Sequence, residues 1–187
     1  MDITYLGHSS FRIKGKNAVV VTDPYSLEKS GIKFPKHVAA DIVTVSHDHS
    51  DRSAVREIEG NPYIIQGPGE YEVKGVGVIG MSTGEHTVYR FEIDGVSIVH
   101  LGKPDHALTA AQVDALDGVD ILMVPVSDGA ISVISEIEPS VVLPMMYTSD
   151  QLRAFLKEIG KEEVTGQPKL STTKDKIPEQ MQVVVLS

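Results

Sequence analysis

His47, His49 and Asp51 stand at alternate positions in the stretch Val43-Thr-Val-Ser-His-Asp-His-Ser-Asp-Arg52. A β-branched run ends in Ser46, and a strand tip entering a loop there can aim two imidazoles and one carboxylate at a single point. Those ligand types suit zinc, iron or manganese. A metal so held makes hydroxide at neutral pH and stabilises developing oxyanion charge, which is hydrolytic chemistry. In that chemistry Asp51 could also orient water or act as general base. The chain has no cysteine, so disulfides, thiolate metal sites and cysteine nucleophiles are excluded, and any metal falls to histidine and carboxylate.

The motif needs strands to position it. Ile3–Leu6 and Phe11–Lys14 read as short strands around Gly7-His-Ser-Ser10, with a turn at Gly15-Lys-Asn17. Ala18–Thr22 is a buried strand by its β-branched run and ends at Asp23-Pro24; residues 25–40 read as an ordered loop. Asp41–Val45 carries the motif at its carboxyl end. Ser53 is placed to cap a short helix through Ile58. Tyr63–Ile65 is a strand, followed by Gly67-Pro-Gly-Glu-Tyr-Glu-Val73 and by antiparallel strands over Val76–Met81, Thr87–Ile93 and Val96–Leu101. Asp94-Gly95 between the last two is a two-residue hairpin signal. Then the pattern becomes βα: a helix capped by Thr109 to Leu116, a strand Asp120–Val126, a helix Ala130–Ile137, and a strand Val141–Leu143 ending in Pro144-Met-Met-Tyr147. A helix capped by Ser149 or Asp150 runs to Ile159, residues 165–180 are polar, and Met181–Leu186 is a closing strand. Strand-rich first part and βα second part predict two packed sheets with helices outside, in one domain over residues 1–187. The strands ending near Val45, Leu101 and Leu143 would gather on one rim, where α/β proteins place chemistry.

Composition narrows the partners. A net charge of −9 argues against broad nucleic-acid binding, which needs a basic footprint, but leaves room for a small anionic molecule in a locally positive pocket. No apolar run is long enough to cross a bilayer, and the start lacks a secretory pattern, so a cytoplasmic location is expected, without membrane association. Homo-oligomerisation is left open, and no organic cofactor is implied.

Several landmarks now line up in order: Gly7-His-Ser-Ser-Phe11, Thr22-Asp-Pro24, Ser46-His-Asp-His-Ser-Asp51, Gly69-Glu-Tyr-Glu-Val73, His100-Leu-Gly102 and Leu143-Pro-Met145. From Tyr5 to about Tyr147 the chain resembles the metallo-β-lactamase superfamily, and within it the small branch related to L-ascorbate-6-phosphate lactonase. The resemblance implies an α/β αββα sandwich whose rim holds two metal ions and hydrolyses esters, lactones or phosphoesters. His47, His49 and Asp51 match its His-x-His-x-Asp core.

The departures are as specific. The resemblance calls for a histidine where Arg52 stands, a bridging aspartate where Lys103 stands, and a last histidine where Met146 stands; a further histidine after the Glu-Tyr-Glu strand pair is missing, His86 reading as the start of the next strand. Zero or one divalent ion, zinc or another, is therefore expected, held by His47 and His49 and completed by His86, His8 or water. Without a second cation Asp51 is expected to pair with Lys103, Arg52 or both, because a buried unpaired carboxylate is costly; both cations as solvated surface charges is the plainer reading. Met146 makes the site drier. His8 reads as a structural histidine beneath the site, Asp23 as a hydrogen-bond acceptor for a histidine or a turn former, and Glu70 as an acid near the rim or a turn residue. His86, His100 and His106 read as structural or exposed, and His37 lies in a polar loop without a role of its own. Two functions follow: a hydrolase with a reduced site, or a metal-free member that binds or scaffolds.

Overall fold

Alternating apolar and polar residues fold the amino terminus into a hairpin, and the chain builds outward from it. The computed structural model describes residues 1–47, 52–104 and 106–187, and of residues 29, 52 and 53 the backbone only. The elements are β1 (Asp2–Gly7), β2 (Ser10–Lys14), β3 (Val19–Thr22), a one-turn helix α1 (Leu27–Ser30), β4 (Ile42–Val45), α2 (Arg52–Val55), β5 (Tyr63–Gln66), β6 (Gly69–Val73), β7 (Val76–Thr83), β8 (His86–Ile93) and β9 (Val96–His100). They continue with α3 (Ala110–Asp114), β10 (Ile121–Pro125), α4 (Ala130–Ile137), β11 (Val141–Met145), α5 (Ser149–Glu158), β12 (Leu170–Ser171), a 3-10 turn (Lys174–Lys176) and β13 (Gln182–Val183).

Two mixed sheets result. One has the order β12-β1-β2-β3-β4-β5 and the other β13-β11-β10-β9-β8-β7-β6. In the first, β3, β4 and β5 are parallel; in the second, β6 to β9 are antiparallel and β9, β10, β11 and β13 are parallel. Parallel neighbours need crossover connections, and α3, α4 and α5 lie in them. Strands β9, β10 and β11 are buried throughout, as strands covered on both faces must be.

Phe11, Ile13, Val20 and Ile42 of the first sheet meet Tyr89, Phe91, Ile98, Ile121 and Leu143 of the second in the central core. A second cluster packs Ile134, Phe155 and Leu156 on the outer face of the second sheet. A third packs Tyr25, Phe34 and Ile58 on Val21, Val43 and Val45. Each such side chain contributes ~1.5–3 kcal/mol by leaving water, and together the three clusters make the expected αββα sandwich.

Local expectations hold where side-chain chemistry is decisive. Asp94 and Gly95 both take positive φ (54° and 80°), as a two-residue hairpin turn requires. Thr109 caps α3 in a capping box with Gln112. Others are corrected. Thr148, not Ser149 or Asp150, caps α5, because Gln151 answers it three residues on. Ser53 lies inside α2, which ends at Val55. The 25–40 loop contains α1, and the 165–180 stretch contains β12, which pairs with β1. The closing strand is reduced to Gln182–Val183. Pro144 sits within β11, opposite Val124; β13 pairs with β11 only at Val141 and Val142, so the missing proline N–H breaks no ladder bond. No helix among the described residues is long and apolar enough to cross a membrane.

Candidate functional site

The tip of β4 is held from two sides. On its own sheet, the Asp23 carboxylate accepts the Ser46 backbone N–H through Oδ1 (2.7 Å) and the Ser46 hydroxyl through Oδ2 (2.5 Å). Asp23 reaches it from the end of β3 with φ at 38°, a conformation short polar side chains tolerate. From the other sheet, β8 clips three consecutive residues of the tip, Val45, Ser46 and His47. Tyr89 Oη donates to the Val45 carbonyl (2.9 Å), the Thr87 N–H donates to the Ser46 carbonyl (2.8 Å), and His47 forms a bridge with His86. Burial pushes the Tyr89 hydroxyl far above the ordinary tyrosine range, so it remains a donor to Val45 while accepting the Gly67 N–H (3.0 Å). The His47 and His86 rings stack with centroids 4.4 Å apart and planes 11° from parallel.

A second set of contacts ties the two sheets at the same rim. His100 is fully buried. Its Nδ1 accepts the Gly102 N–H (3.2 Å) and its Nε2 faces the Ser9 carbonyl (2.8 Å), which assigns the proton to Nε2. Asp23 Oδ2 lies 3.9 Å from His100 Nδ1, too far for a hydrogen bond, so among the described residues Asp23 serves Ser46 and not His100. The His8 carbonyl accepts from Tyr5 Oη (2.5 Å) and from the Met146 N–H (2.9 Å), linking the β1–β2 turn to the end of β11. His8 and Met146 both have left-handed φ, 52° and 57°. Strained backbone of this kind concentrates where a structure over-determines a functional geometry.

Lys103 enters the rim through Gly102. A side chain at Gly102 would place Cβ 2.8 Å from Ser46 Oγ, and its φ is 63°, so the close approach of β9's end to the β4 tip needs glycine. Lys103, next in the chain, is exposed. Burial lowers the pKa of half-buried His8; Asp23 opposes the shift and the Lys103 charge adds to it. His8, whose Nδ1 meets Ser9 Oγ at 3.1 Å, thus feels a carboxylate and an ammonium at once.

Beside the β4 tip lies a cleft of about 370 Å³, lined by Ser46, His47, Gln66, Ser82, Glu85 and His86 among others. Glu85, Gln66 and Ser82 carry no motif. Ser82 and Glu85 reach the cleft on the β7–β8 hairpin, and Gln66 reaches it from the end of β5, where it pairs with Val45 of β4. Glu70 stands exposed on edge strand β6, opposite Ile79, and does not line this cleft. His86 does begin β8, as expected, yet it also packs on His47. His37 pairs with Glu59 on the surface (2.7 Å), and His106 is exposed. His49 and Asp51 lie outside the described residues, as does the side chain of Arg52, and so does any pairing of Asp51 with Lys103 or Arg52.

Among the described residues, no group of three His, Asp or Glu side chains converges as a metal requires. His47 and His86 do not supply two ligands to one ion: imidazole lone pairs lie in the ring plane, and near-parallel planes do not meet within a metal–nitrogen bond of ~2.0–2.1 Å.

The family model for the "Beta-lactamase superfamily domain" matches residues 2–146. Among solved structures, a candidate zinc-dependent hydrolase of the metallo-β-lactamase superfamily from Thermotoga maritima is 32% identical, over 100% of this chain and 98% of that one, with a TM-score of 0.84. A candidate metal-dependent hydrolase from Parabacteroides distasonis (16% identity, 98% and 91% covered, TM-score 0.64) and a metallo hydrolase from Ignicoccus hospitalis (17%, 92% and 99%, 0.60) share the fold. No curated protein matches this chain.

Proposed function

Because this chain belongs to the β-lactamase superfamily, we propose that it is a hydrolase-like protein whose metal site is incomplete and takes at most one divalent ion. Within the family we place it in the branch related to L-ascorbate-6-phosphate lactonase, acting on an ester, lactone or phosphoester of a small anionic molecule. The observation that carries the incompleteness is the seat of Lys103. The glycine before it is wedged against Ser46, which brings the Lys103 backbone to the rim, and Lys103 stands at the sequence position where the resemblance calls for a bridging aspartate.

In this reading His47 and His49 hold the ion, zinc or another, and Asp51 orients water or accepts its proton. A bound divalent ion supplies a Lewis acid and lowers the pKa of its water. The chain's own residues do the positioning: Asp23 and Tyr89 fix the strand tip from opposite sides, and His86 fixes the His47 ring plane. Lys103 supplies positive charge for an anionic substrate group or for Asp51. The second reading, a metal-free binding or scaffolding member, is favoured by the same ammonium, because a cation at that position replaces an ion as well as it repels one.

Elemental analysis of protein purified without chelator or histidine tag separates the two. One ion per chain is expected. None establishes the metal-free reading, and two overturns the incomplete site.

A further inference from the structure

At the end of the first sheet opposite His47, the starts of β3, β4 and β5 frame a groove of about 450 Å³. Arg12, Asp41, Glu59, Asn61, Tyr63 and Lys74 are among its lining residues. Its acids are engaged. Asp41 Oδ2 accepts the Val19 N–H (2.8 Å) and Oδ1 accepts Lys74 Nζ (2.5 Å); the Lys74 hydrogen bond, then that of Val19, hold the Asp41 pKa below its ordinary value. Glu59 Oε1 meets His37 Nδ1 at 2.7 Å.

Arg12 is different. It projects from the outer face of β2, between Thr4 on β1 and Val21 on β3, with no acid at either register position. It is half-buried, yet its guanidinium makes no hydrogen bond or ion pair with any described residue. Arg90, also half-buried, shows the usual outcome: it donates to the Ala115 and Asp117 carbonyls and to Glu92. Arg12 therefore presents a rigid fork of donors, partly stripped of water, to a groove whose acids are already paired with Lys74 and His37. Lys74 keeps donors that Asp41 does not use. Tyr63, 53% exposed at the start of an edge strand, offers a ring wall to the same groove.

We infer that this groove is a second ligand site, separate from the His47 rim, and that it binds a phosphate monoester carrying a flat group. Arg12 takes two phosphate oxygens in bidentate fashion, Lys74 Nζ assists, and Tyr63 covers the flat group. The proposal does not depend on the hydrolase reading, since none of its residues touches the β4 tip.

The test is an amide and arginine side-chain NMR titration with phenyl phosphate and, separately, inorganic phosphate, at constant ionic strength. Phenyl phosphate is expected to shift the Arg12 Nε–H signal and the amides of Ala40 and Asn61, and to bind at least fivefold tighter than inorganic phosphate. Arg12→Gln is expected to weaken both at least tenfold, and Arg12→Lys to recover only part of that, because it restores charge without the fork. Tyr63→Ala is expected to weaken phenyl phosphate alone. His47→Ala is expected to change neither. The native spectrum of each variant away from the groove serves as the folding control. Shifts confined to the His8 and Lys103 rim, or undiminished binding by Arg12→Gln, overturn the site. Equal affinity for the two probes overturns the monoester and leaves free phosphate as the ligand.

Discussion

The imidazoles of His47 and His86 lie face to face, 4.4 Å between centroids and 11° from parallel, although the two residues belong to opposite sheets. The first lies two residues beyond the end of β4, which leads into the ligand motif; the second begins β8, a strand of the other sheet. Their contact sets the plane of the His47 ring.

That arrangement predicts different fates for two substitutions. His86→Ala removes the stacked ring and is expected to cost about 1–2 kcal/mol of stability, from the lost aromatic pairing and burial. It should also weaken zinc binding about tenfold, the lower end of what loss of an orienting neighbour does. His86→Phe keeps a ring in place and is expected to recover most of both. Urea unfolding and zinc titration of the two variants measure this, and equal losses in both would sink the stacking role.

Asp23 makes a sharper case. Asp23→Ala leaves the buried Ser46 N–H and hydroxyl without their acceptor, at about 1–3 kcal/mol for the stranded donors. Asp23→Asn keeps one carbonyl oxygen and is expected to lose less than half as much. Denaturation midpoints at pH 7 distinguish the two; a larger loss in Asn than in Ala would mean that Asp23 acts chiefly by charge.

These contacts mark the limit of what the chain discloses by itself. Strand positions, the Asp94-Gly95 hairpin and the Thr109 cap are written in short-range chemistry, and the motif order carries the fold. The α5 cap was legible too, but the expectation of Ser149 or Asp150 passed over it: Thr148 with Gln151 three residues on is the capping-box pattern. Local pattern could not show that the 165–180 stretch returns to pair with β1. At the site, His47 and Asp23 were legible as types, but Asp23's partner was not, because Ser46 reaches it through the parallel register of β3 and β4. Gln66 was invisible for the same reason, since the parallel register of β4 and β5 brings it beside Val45, and Glu85 because cross-sheet proximity has no sequence period.

His8 gives a pH test. Its pKa is lowered, first by burial, with Asp23 opposing and Lys103 adding. A base with a lowered folded pKa takes up its proton more readily when unfolded, so its contribution is complete above the unfolded value near 6.5 and is lost as pH falls through that value toward the folded one. Its imidazole resonance is expected to titrate below the ordinary histidine range. Lys103→Met is expected to raise that midpoint, and Asp23→Asn to lower it. A Lys103→Met variant with an unchanged His8 titration would place the ammonium away from the rim.

Lys103 and Met146 together decide whether the scaffold can still be a dinuclear site. Met146 holds φ at 57°, which is strained for methionine but better tolerated by histidine, so Met146→His is expected to fold. Lys103→Asp replaces the ammonium with a carboxylate on the same glycine-enforced approach to Ser46. Each change alone adds one ligand and removes at most one obstacle, so neither is expected to raise metal content. Combined, they remove a repelling cation and supply an oxygen and a nitrogen donor at the rim. The double variant is expected to take up a second zinc ion and to gain phosphodiesterase activity at least tenfold above the parent, measured on bis(4-nitrophenyl) phosphate. Lys103→Met/Met146→Leu, which removes the cation without adding donors, is expected to do neither. A double variant that folds, retains the parent's metal content and gains no activity would mean that the rim lost more than its ligands, and that binding rather than hydrolysis is what this chain retains.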